Sequence, residues 1–189
     1  RCMEHLLSEE ITILVATSGD TGSAVANGFF DLDGIQVVIL YPSGRVSAIQ
    51  EQQLTTYGGN ITALEVEGSF DDCQHMVKEA FVDQKVNQQR SLSSANSINI
   101  ARILPQSVYY AWAWKQIGTD HPIVFSVPSG NFGNLTGGIL AKHMGLPVEK
   151  FIAATNANDV FPKYLETGEF NAKPSKQTIS NAMDVGRPS

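Results

Sequence analysis

The sequence has few cysteines, few basic residues and no long apolar run. Its two cysteines, Cys2 and Cys73, stand far apart without a Cys-x-x-Cys pair, so we expect neither a disulfide framework nor a metal site. No apolar run reaches the roughly 18 residues that a membrane-spanning helix needs. With 13 basic against 19 acidic residues the net charge is −6, which repels nucleic acid and anionic membranes. We therefore expect a cytoplasmic protein with neither of these partners, in which local donors bind any anionic ligand.

Short β-branched runs alternate with segments of helical periodicity along the chain. The predicted strands are residues 11–16, 35–40, 61–66, 123–127 and 151–155. Helices are predicted at about residues 24–29, 47–57, 70–81, 100–117 and 136–144, with Ser69 as the N-cap of the third. This alternation indicates an α/β fold of mostly parallel twisted sheets with flanking helices, in which ligands bind at the carboxyl ends of the strands.

Two strand-to-helix loops are rich in glycine, hydroxyl and amide residues. They cover residues 17–22 (TSGDTG) and 129–134 (SGNFGN). Backbone N–H groups in such loops can converge on an anion at the positive end of the following helix. A tight turn in the second loop, and a helix capped by Ser18 or Asp20 in the first, are the structural alternatives.

A third polar segment, residues 93–102, places hydroxyl and amide side chains ahead of Arg102. A guanidinium offers a planar pair of donors to phosphate or carboxylate, which favours a third anion contact here. The alternative is a polar loop in which Asn99 caps a helix and Arg102 is solvated.

Other chemistries find little support in the sequence. The four histidines lack ligand spacing and are assigned surface or capping roles; they are His5, His75, His121 and His143. Ser18 does not stand in a Gly-x-Ser-x-Gly elbow, which argues against a serine hydrolase. No Gly-x-Gly-x-x-Gly follows the first strand, which argues against a Rossmann nucleotide-binding protein.

Six segments together resemble the threonine synthases of the bacterial and fungal branch, which are fold-type-II pyridoxal-phosphate (PLP) enzymes. They occur in the family's order and spacing: residues 13–22 (ILVATSGDTG), 38–44 (VILYPSG), 94–102 (SANSINIAR), 126–134 (SVPSGNFGN), 151–156 (FIAATN) and 180–185 (SNAMDV). The resemblance implies the tryptophan synthase beta-like fold, incomplete here. It also implies a lyase that converts O-phospho-L-homoserine and water to L-threonine and phosphate.

The resemblance also implies where ligands bind. The residues expected to bind the PLP cofactor are Gly130, Asn131, Phe132, Gly133 and Asn134 at its phosphate, with Asp20 beside its ring. The residues expected to bind the substrate are Thr17, Ser18, Gly19 and Thr21 at its α-carboxylate, and Asn96, Ser97, Asn99 and Arg102 at its phosphate. Residues 1–118 are expected to form a smaller α/β domain with the substrate loops, and residues 119–189 part of the larger PLP-phosphate-binding domain.

Two features qualify what the resemblance implies. Arg1, Cys2 and Met3 resemble the end of the segment that follows the family's Schiff-base lysine, so that lysine is expected just upstream of Arg1. We therefore assign no catalytic residue and expect an internal fragment that is inactive alone. Asp20 stands where many fold-type-II enzymes have asparagine, and its carboxylate would be repelled by the cofactor's phenolic oxygen unless protonated or turned away.

Two other functions are compatible with the same segments. One is another fold-type-II PLP lyase, such as a threonine dehydratase or a cysteine synthase, although the SGDTG and NSIN segments favour a threonine synthase. The other is a non-catalytic protein of this type that binds phosphorylated metabolites. The sequence predicts no oligomeric state.

Overall fold

A computed structural model describes residues 10–97 and 99–188, and it divides the chain into two compact units, Arg1–Asn96 and Ser97–Ser189. The sequence places its domain boundary at residue 118 instead. Residues 97–118 group with the second unit because the Tyr110 ring packs against Phe125 and Phe151, at centroid distances of 4.9 and 5.8 Å. The assignment of a substrate domain and a cofactor domain stays a prediction.

The first unit is a parallel α/β sheet with helices. Its four strands run in the order β3-β2-β1-β4 and all pair in parallel. The strands are β1 (Ile11–Ala16), β2 (Ile35–Pro42), β3 (Ile61–Val66) and β4 (Ser91–Ser94). The helices are α1 (Asp20–Phe29), α2 (Ala48–Thr55), α3 (Phe70–Val82) and α4 (Gln84–Gln89). The predicted α/β class with mostly parallel strands is confirmed.

The core of this unit lies on its two central strands. Ile13 and Val15 of β1 pair in register with Val37 and Ile39 of β2, and each of these four side chains is at most 2% exposed. Strands that are covered on both faces carry continuous β-branched runs, which is why the sequence identified both of them. The carboxyl ends of β1 and β2 consequently lie at one edge of the sheet.

Helix caps in this unit follow the sequence. The Ser69 hydroxyl accepts a hydrogen bond from the Asp72 amide, and the Asp72 carboxylate accepts one from the Ser69 amide at 2.7 Å, so the predicted N-cap of α3 is confirmed. The hydrogen bonds that the Ser69 amide and hydroxyl donate to the Asp72 carboxylate hold the pKa of Asp72 below its ordinary value. Ser47 and Gln50 form the same reciprocal arrangement at the start of α2.

The second unit is built on one parallel strand pair, β5 (Ile123–Pro128) and β6 (Val148–Ala154). Its helices are α5 (Ile100–Ile103), α6 (Ser107–Ile117), α7 (Gly133–His143) and α8 (Val160–Thr167), with 3-10 turns at Leu104–Gln106 and Asn181–Met183. Across residues 10–97 and 99–188, no helix is both long and apolar enough to cross a bilayer.

Glycines in α7 let its neighbours pack closely. A Cβ at Gly138 would stand 2.7 Å from both the Tyr110 and Phe151 rings, and one at Gly137 would stand 2.9 Å from Gln106 Cβ. One face of the β5-β6 pair, with Phe125 and Phe151, is covered in this way. Val124 and Ile152 on the other face are 42% and 49% exposed.

Several predicted elements need correction. The single helix predicted over residues 100–117 is wrong: it divides into α5, a 3-10 turn and α6, because Pro105 in the turn has no N–H to donate and its ring disrupts a continuous helix. The prediction also lacked α4, β4 and α8. Strand β4 (SLSS) pairs only with β1 among the described strands, and it lacks the apolar run by which the other strands were identified.

Candidate functional site

The loop after β1 is folded by a buried threonine. Thr17 is 1% exposed, and its hydroxyl oxygen accepts hydrogen bonds from the amides of Gly19 and Gly22 at 3.0 and 2.8 Å. The position before α1 is Gly19, and the described residues supply no side-chain cap there, so the predicted cap by Ser18 or Asp20 is not found. Ser18 and Thr21 are half-buried, whereas Asp20 is exposed. Thr17 therefore shapes the loop.

Asn96 extends the sheet with its side chain. Its Oδ1 accepts from the Ala16 amide at 2.9 Å, and its Nδ2 donates to the Ala16 carbonyl at 2.7 Å. This pair of bonds continues the β1-β4 pairing after β4 has ended. The structure thus places Asn96 directly beside the start of the Thr17 loop, with both ends of its amide bonded to backbone.

Gln50, at the start of α2, reaches the same loop. Its Nε2 donates a 2.7 Å hydrogen bond to Asp20 Oδ1. Gly19 has a φ of 134° and lies against the Gln50 side chain, since a Cβ there would stand 2.5 Å from Gln50 Cδ. The backbone conformation therefore favours glycine at position 19, and a larger residue there would also displace the end of the Gln50 side chain.

The loop after β5 repeats this design in the second unit. Ser129 is 6% exposed; its hydroxyl accepts from the Phe132 amide at 2.8 Å and donates to Asn134 Oδ1 at 2.6 Å. Asn134 Nδ2 returns a hydrogen bond to the Pro128 carbonyl at 2.9 Å. Phe132 takes a left-handed conformation, with φ 59°, immediately before α7. The Ser129 and Asn134 side chains thus hold the loop in one shape.

The first turn of α7 presents backbone donors that could bind an anion. The amides of Gly133 and Asn134 begin an 11-residue helix, where N–H groups have no intrahelical partner and lie at the positive end of the dipole. The Phe132 amide is bonded to Ser129, and the Phe132 ring packs on Phe161 at 4.2 Å between centroids. The loop contains no carboxylate that would repel an anion. Its donor set fits a phosphate group.

Both glycines of this loop have close neighbours. A Cβ at Gly130 would meet Met183 Cα at 2.9 Å and Val185 Cγ2 at 3.0 Å. A Cβ at Gly133 would meet Ser97 Cβ at 3.2 Å. The structure therefore brings Ser97, one of the predicted substrate residues, against the predicted phosphate loop.

A hydrogen-bonded cluster fixes the segment that packs on Gly130. Asp184 accepts from Asn156 Nδ2 at 2.8 Å, from the Thr178 hydroxyl at 2.7 Å and from the Thr178 amide at 2.8 Å. Asn158 Nδ2 also reaches Asp184, at 3.2 Å. The carboxylate therefore ties the end of β6 to residues 178–185, next to the loop.

The third polar segment contributes a helix cap and a half-buried arginine. Asn99 Oδ1 accepts from the Ala101 amide at 3.0 Å and caps α5, as one of the sequence alternatives proposed. Arg102 is half-buried in α5, and burial lowers the pKa of its guanidinium. Ile98, between Ser97 and Asn99, lies outside the described residues.

An apolar groove of about 290 Å³ lies beside the α7 loop. Phe132, Phe161, Tyr164 and Phe170 line it, with Asn131 at the loop side. Aromatic walls suit an apolar group and cannot replace the hydration of a phosphate. An anion is therefore better matched to the α7 amides than to this groove.

Sequence reasoning missed four side chains that organise these loops: Ser129, Gln50, Asp184 and Tyr110. The Tyr110 hydroxyl donates to the Asn134 carbonyl at 2.7 Å, and burial raises the pKa of Tyr110. Ser129 and Asp184 lie inside the segments that resemble the family, so the resemblance was the signal that could have identified them. Gln50 stands in a Ser-x-x-Gln capping-box pattern, which marks the start of α2 but not the contact with Asp20. No local pattern marks Tyr110.

Comparison with known proteins places the chain among related sequences. The pyridoxal-phosphate dependent enzyme family matches residues 2–189. The threonine synthase of Buchnera aphidicola subsp. Acyrthosiphon pisum is 52% identical over 183 residues, which is 96% of this chain and 43% of that protein. The chain thus spans less than half the length of this relative.

Solved structures agree with the sequence relatives. The crystal structure of threonine synthase from Escherichia coli superimposes with a TM-score of 0.91 at 49% identity, over 95% of this chain and 42% of that one. PLP-bound threonine synthase from Brucella melitensis gives a TM-score of 0.84 at 46% identity, over 98% of this chain and 41% of that one.

Proposed function

The chain belongs to the family of pyridoxal-phosphate dependent enzymes, and we propose that it forms part of a threonine synthase. The proposed reaction converts O-phospho-L-homoserine and water to L-threonine and phosphate. The observation that carries the proposal is the similarity to the E. coli enzyme, at 49% identity and a TM-score of 0.91 over 95% of this chain. Because the chain spans 42% of that enzyme, the whole reaction is assigned to a longer protein that includes such a segment.

The cofactor's phosphate is assigned to the loop before α7. The amides of Gly133 and Asn134 are the proposed donors, and Gly130, Asn131 and Phe132 complete the loop. When bound, PLP supplies an electron sink for removal of the proton beside the substrate's amino group. The chain's own contribution is to hold the phosphate at a helix N-terminus whose shape is already fixed by Ser129.

The substrate is assigned to the other polar segments. The loop of Thr17, Ser18, Gly19 and Thr21 is proposed to orient the α-carboxylate through its amides and hydroxyls. The substrate phosphate is proposed to bind to Ser97, Asn99 and Arg102. Asn96 is proposed to contribute indirectly, by holding the backbone around the substrate phosphate. Donors placed where a phosphate departs stabilise the developing charge, which is electrostatic catalysis. No proton-transferring residue is assigned within this chain.

The test is a chimeric enzyme in which residues 1–189 replace the matching segment of the E. coli enzyme. The expected result is release of L-threonine and phosphate in equal amounts from O-phospho-L-homoserine. The unmodified E. coli enzyme is the activity control, and circular dichroism with PLP absorbance shows that the chimera is folded and loaded. A folded, loaded chimera that instead deaminates threonine or consumes O-acetylserine, or that turns over nothing, would refute the proposal.

A further inference from the structure

The Gln50 side chain uses its two polar atoms for two different tasks. Its Oε1 accepts from the Ser47 amide at 3.0 Å, which completes the capping box of α2. Its Nε2 donates to Asp20 Oδ1 at 2.7 Å. One residue therefore connects the N-terminus of α2 to the first residue of α1.

Gln50 also supports the loop by direct packing. A Cβ at Gly19 would stand 2.5, 2.6 and 2.8 Å from the three terminal atoms of the Gln50 side chain. The amide plane of Gln50 thus lies against the backbone of Gly19, while its Nε2 holds the neighbouring carboxylate. Gln50 constrains two successive residues of the Thr17–Thr21 loop.

The charge distribution in the Thr17–Thr21 loop indicates a role for the Gln50–Asp20 contact. Asp20 is the one acidic side chain in a loop that is otherwise made of hydroxyls and glycines. A carboxylate that is free to rotate would repel an anionic ligand bound by the loop's amides. A neutral amide donor fixes one carboxylate oxygen without adding charge of its own.

We propose that Gln50 is a positioning residue, which holds the Asp20 carboxylate in one orientation so that the Thr17–Thr21 loop can accept the carboxylate of an amino-acid substrate. The inference rests on the proposed function for the identity of that ligand. Asp20 then acts through its bond to Gln50 and serves the loop's shape.

The two roles of Gln50 can be separated by substitutions that keep the size of the side chain. Gln50→Glu keeps an oxygen that accepts from the Ser47 amide, as in a standard capping box, but it loses the donor to Asp20 and faces that residue with like charge. Adding Asp20→Asn supplies a new donor toward the introduced glutamate. Gln53→Glu places the same charge at an exposed position of the same helix and is the matched control.

The first measurement is the KM for O-phospho-L-homoserine in the chimeric enzyme. Gln50→Glu is expected to raise KM about tenfold, with a smaller change in kcat, because one charge-assisted hydrogen bond is lost. Asp20→Asn added to it is expected to restore KM to within about threefold of the parent, while Gln53→Glu leaves KM unchanged. A rise in KM with little change in kcat is not expected from a purely structural role of Gln50, which would lower kcat as well. Failure of Gln50→Glu to raise KM, or of the double variant to recover, would overturn the proposal.

A second measurement is independent of turnover. Urea unfolding of the 189-residue chain is measured for four proteins. They are the parent, the Gln50→Glu variant, the Asp20→Asn variant and the double variant. The double variant is expected to be more stable than the sum of the single effects predicts, since the exchanged pair remakes the hydrogen bond. Additive effects would overturn the inference even where the chimera makes threonine. Coupling without threonine synthesis would leave the Gln50–Asp20 link standing and refute the proposed function.

Discussion

At the scale of single residues, Cys73 is a completely buried ionisable group of the first unit. It lies in α3, is 0% exposed, and is a free thiol. Burial, together with the adjacent Asp72 carboxylate, raises the pKa of the Cys73 thiol to about 11. The folded state therefore keeps this thiol neutral at pH values where an unfolded chain would ionise it.

The free energy of unfolding is expected to fall as pH rises from about 9 to about 11. In this window the unfolded state has released the Cys73 proton and the folded state retains it, so alkali favours unfolding, by about 2 to 3 kcal/mol in total. The measurement is urea unfolding at several pH values for the parent and for Cys73→Ala. The variant is expected to be less stable at pH 7 and to lose less stability above pH 9. Equal losses in both proteins would contradict the assignment.

Residue types in the loops could be predicted from the sequence, but their partners could not. Thr17 and Asn96 were expected to contact substrate because of the family resemblance, in segments whose hydroxyls and amides could bind anions. In the structure the Thr17 hydroxyl accepts two loop amides, and both ends of the Asn96 amide bond to Ala16. Local spacing does not tell whether a polar side chain faces a ligand or the backbone, because that depends on residues up to 80 positions away. Their direct contact with substrate stays a prediction.

At the scale of elements, helix α1 shows what the Thr17 loop requires of its neighbours. Gly22 lies at the start of this helix, and a Cβ there would stand 2.6 Å from Thr17 Cγ2 and 2.7 Å from Leu54 Cδ2. Gly28 lies at its end, and no described atom is within 4 Å of a Cβ built there. One helix therefore contains a glycine that packing requires and one that it does not.

Gly22→Ala is expected to destabilise the protein by about 1 to 3 kcal/mol, because the added methyl group overpacks the contact between α1, Thr17 and α2. Gly28→Ala is expected to stabilise it by about 0.5 to 1 kcal/mol, because alanine has the higher helix propensity. Thermal and urea unfolding of both variants provide the comparison. Similar effects at the two positions would show that Gly22 has no special packing role.

The elements themselves were predicted where hydrophobic periodicity was strong. Strands β1 and β2 and the loops after β1 and β5 were located correctly, since buried parallel strands carry unbroken β-branched runs. Residues 100–117 were predicted as one undivided helix because their apolar spacing continues through Pro105. Helix α8 was missed; it is short and has Pro162 in its first turn.

At the scale of the whole molecule, the described residues cover one face of the strand pair β5-β6 and leave the other partly exposed. Val124 and Ile152 are 42% and 49% exposed, whereas Val127 on the covered side is 7% exposed. Parallel sheets are normally covered on both faces.

Self-association of the 189-residue chain is expected to depend on this face. Val124→Thr combined with Ile152→Thr should reduce association in sedimentation experiments while changing stability by less than about 0.5 kcal/mol, because surface positions tolerate polar residues. Val127→Thr is the control and should destabilise the chain by about 1 to 3 kcal/mol, since it buries a hydroxyl. If the Val124→Thr and Ile152→Thr pair destabilised the chain as much as Val127→Thr does, the exposed face of β5-β6 would have to be buried in solution.

The hydroxyls of Thr17 and Ser129 bear on the rate and the entropic cost of ligand binding at the proposed sites. Each loop already holds its backbone through internal hydrogen bonds, so an anion bound at the proposed sites would not have to order the chain. Preorganised sites avoid the loss of conformational entropy that flexible loops incur on binding. Calorimetry of phosphate binding would then show a small entropic penalty. The association rate would approach that of rigid partners, because no folding step precedes capture.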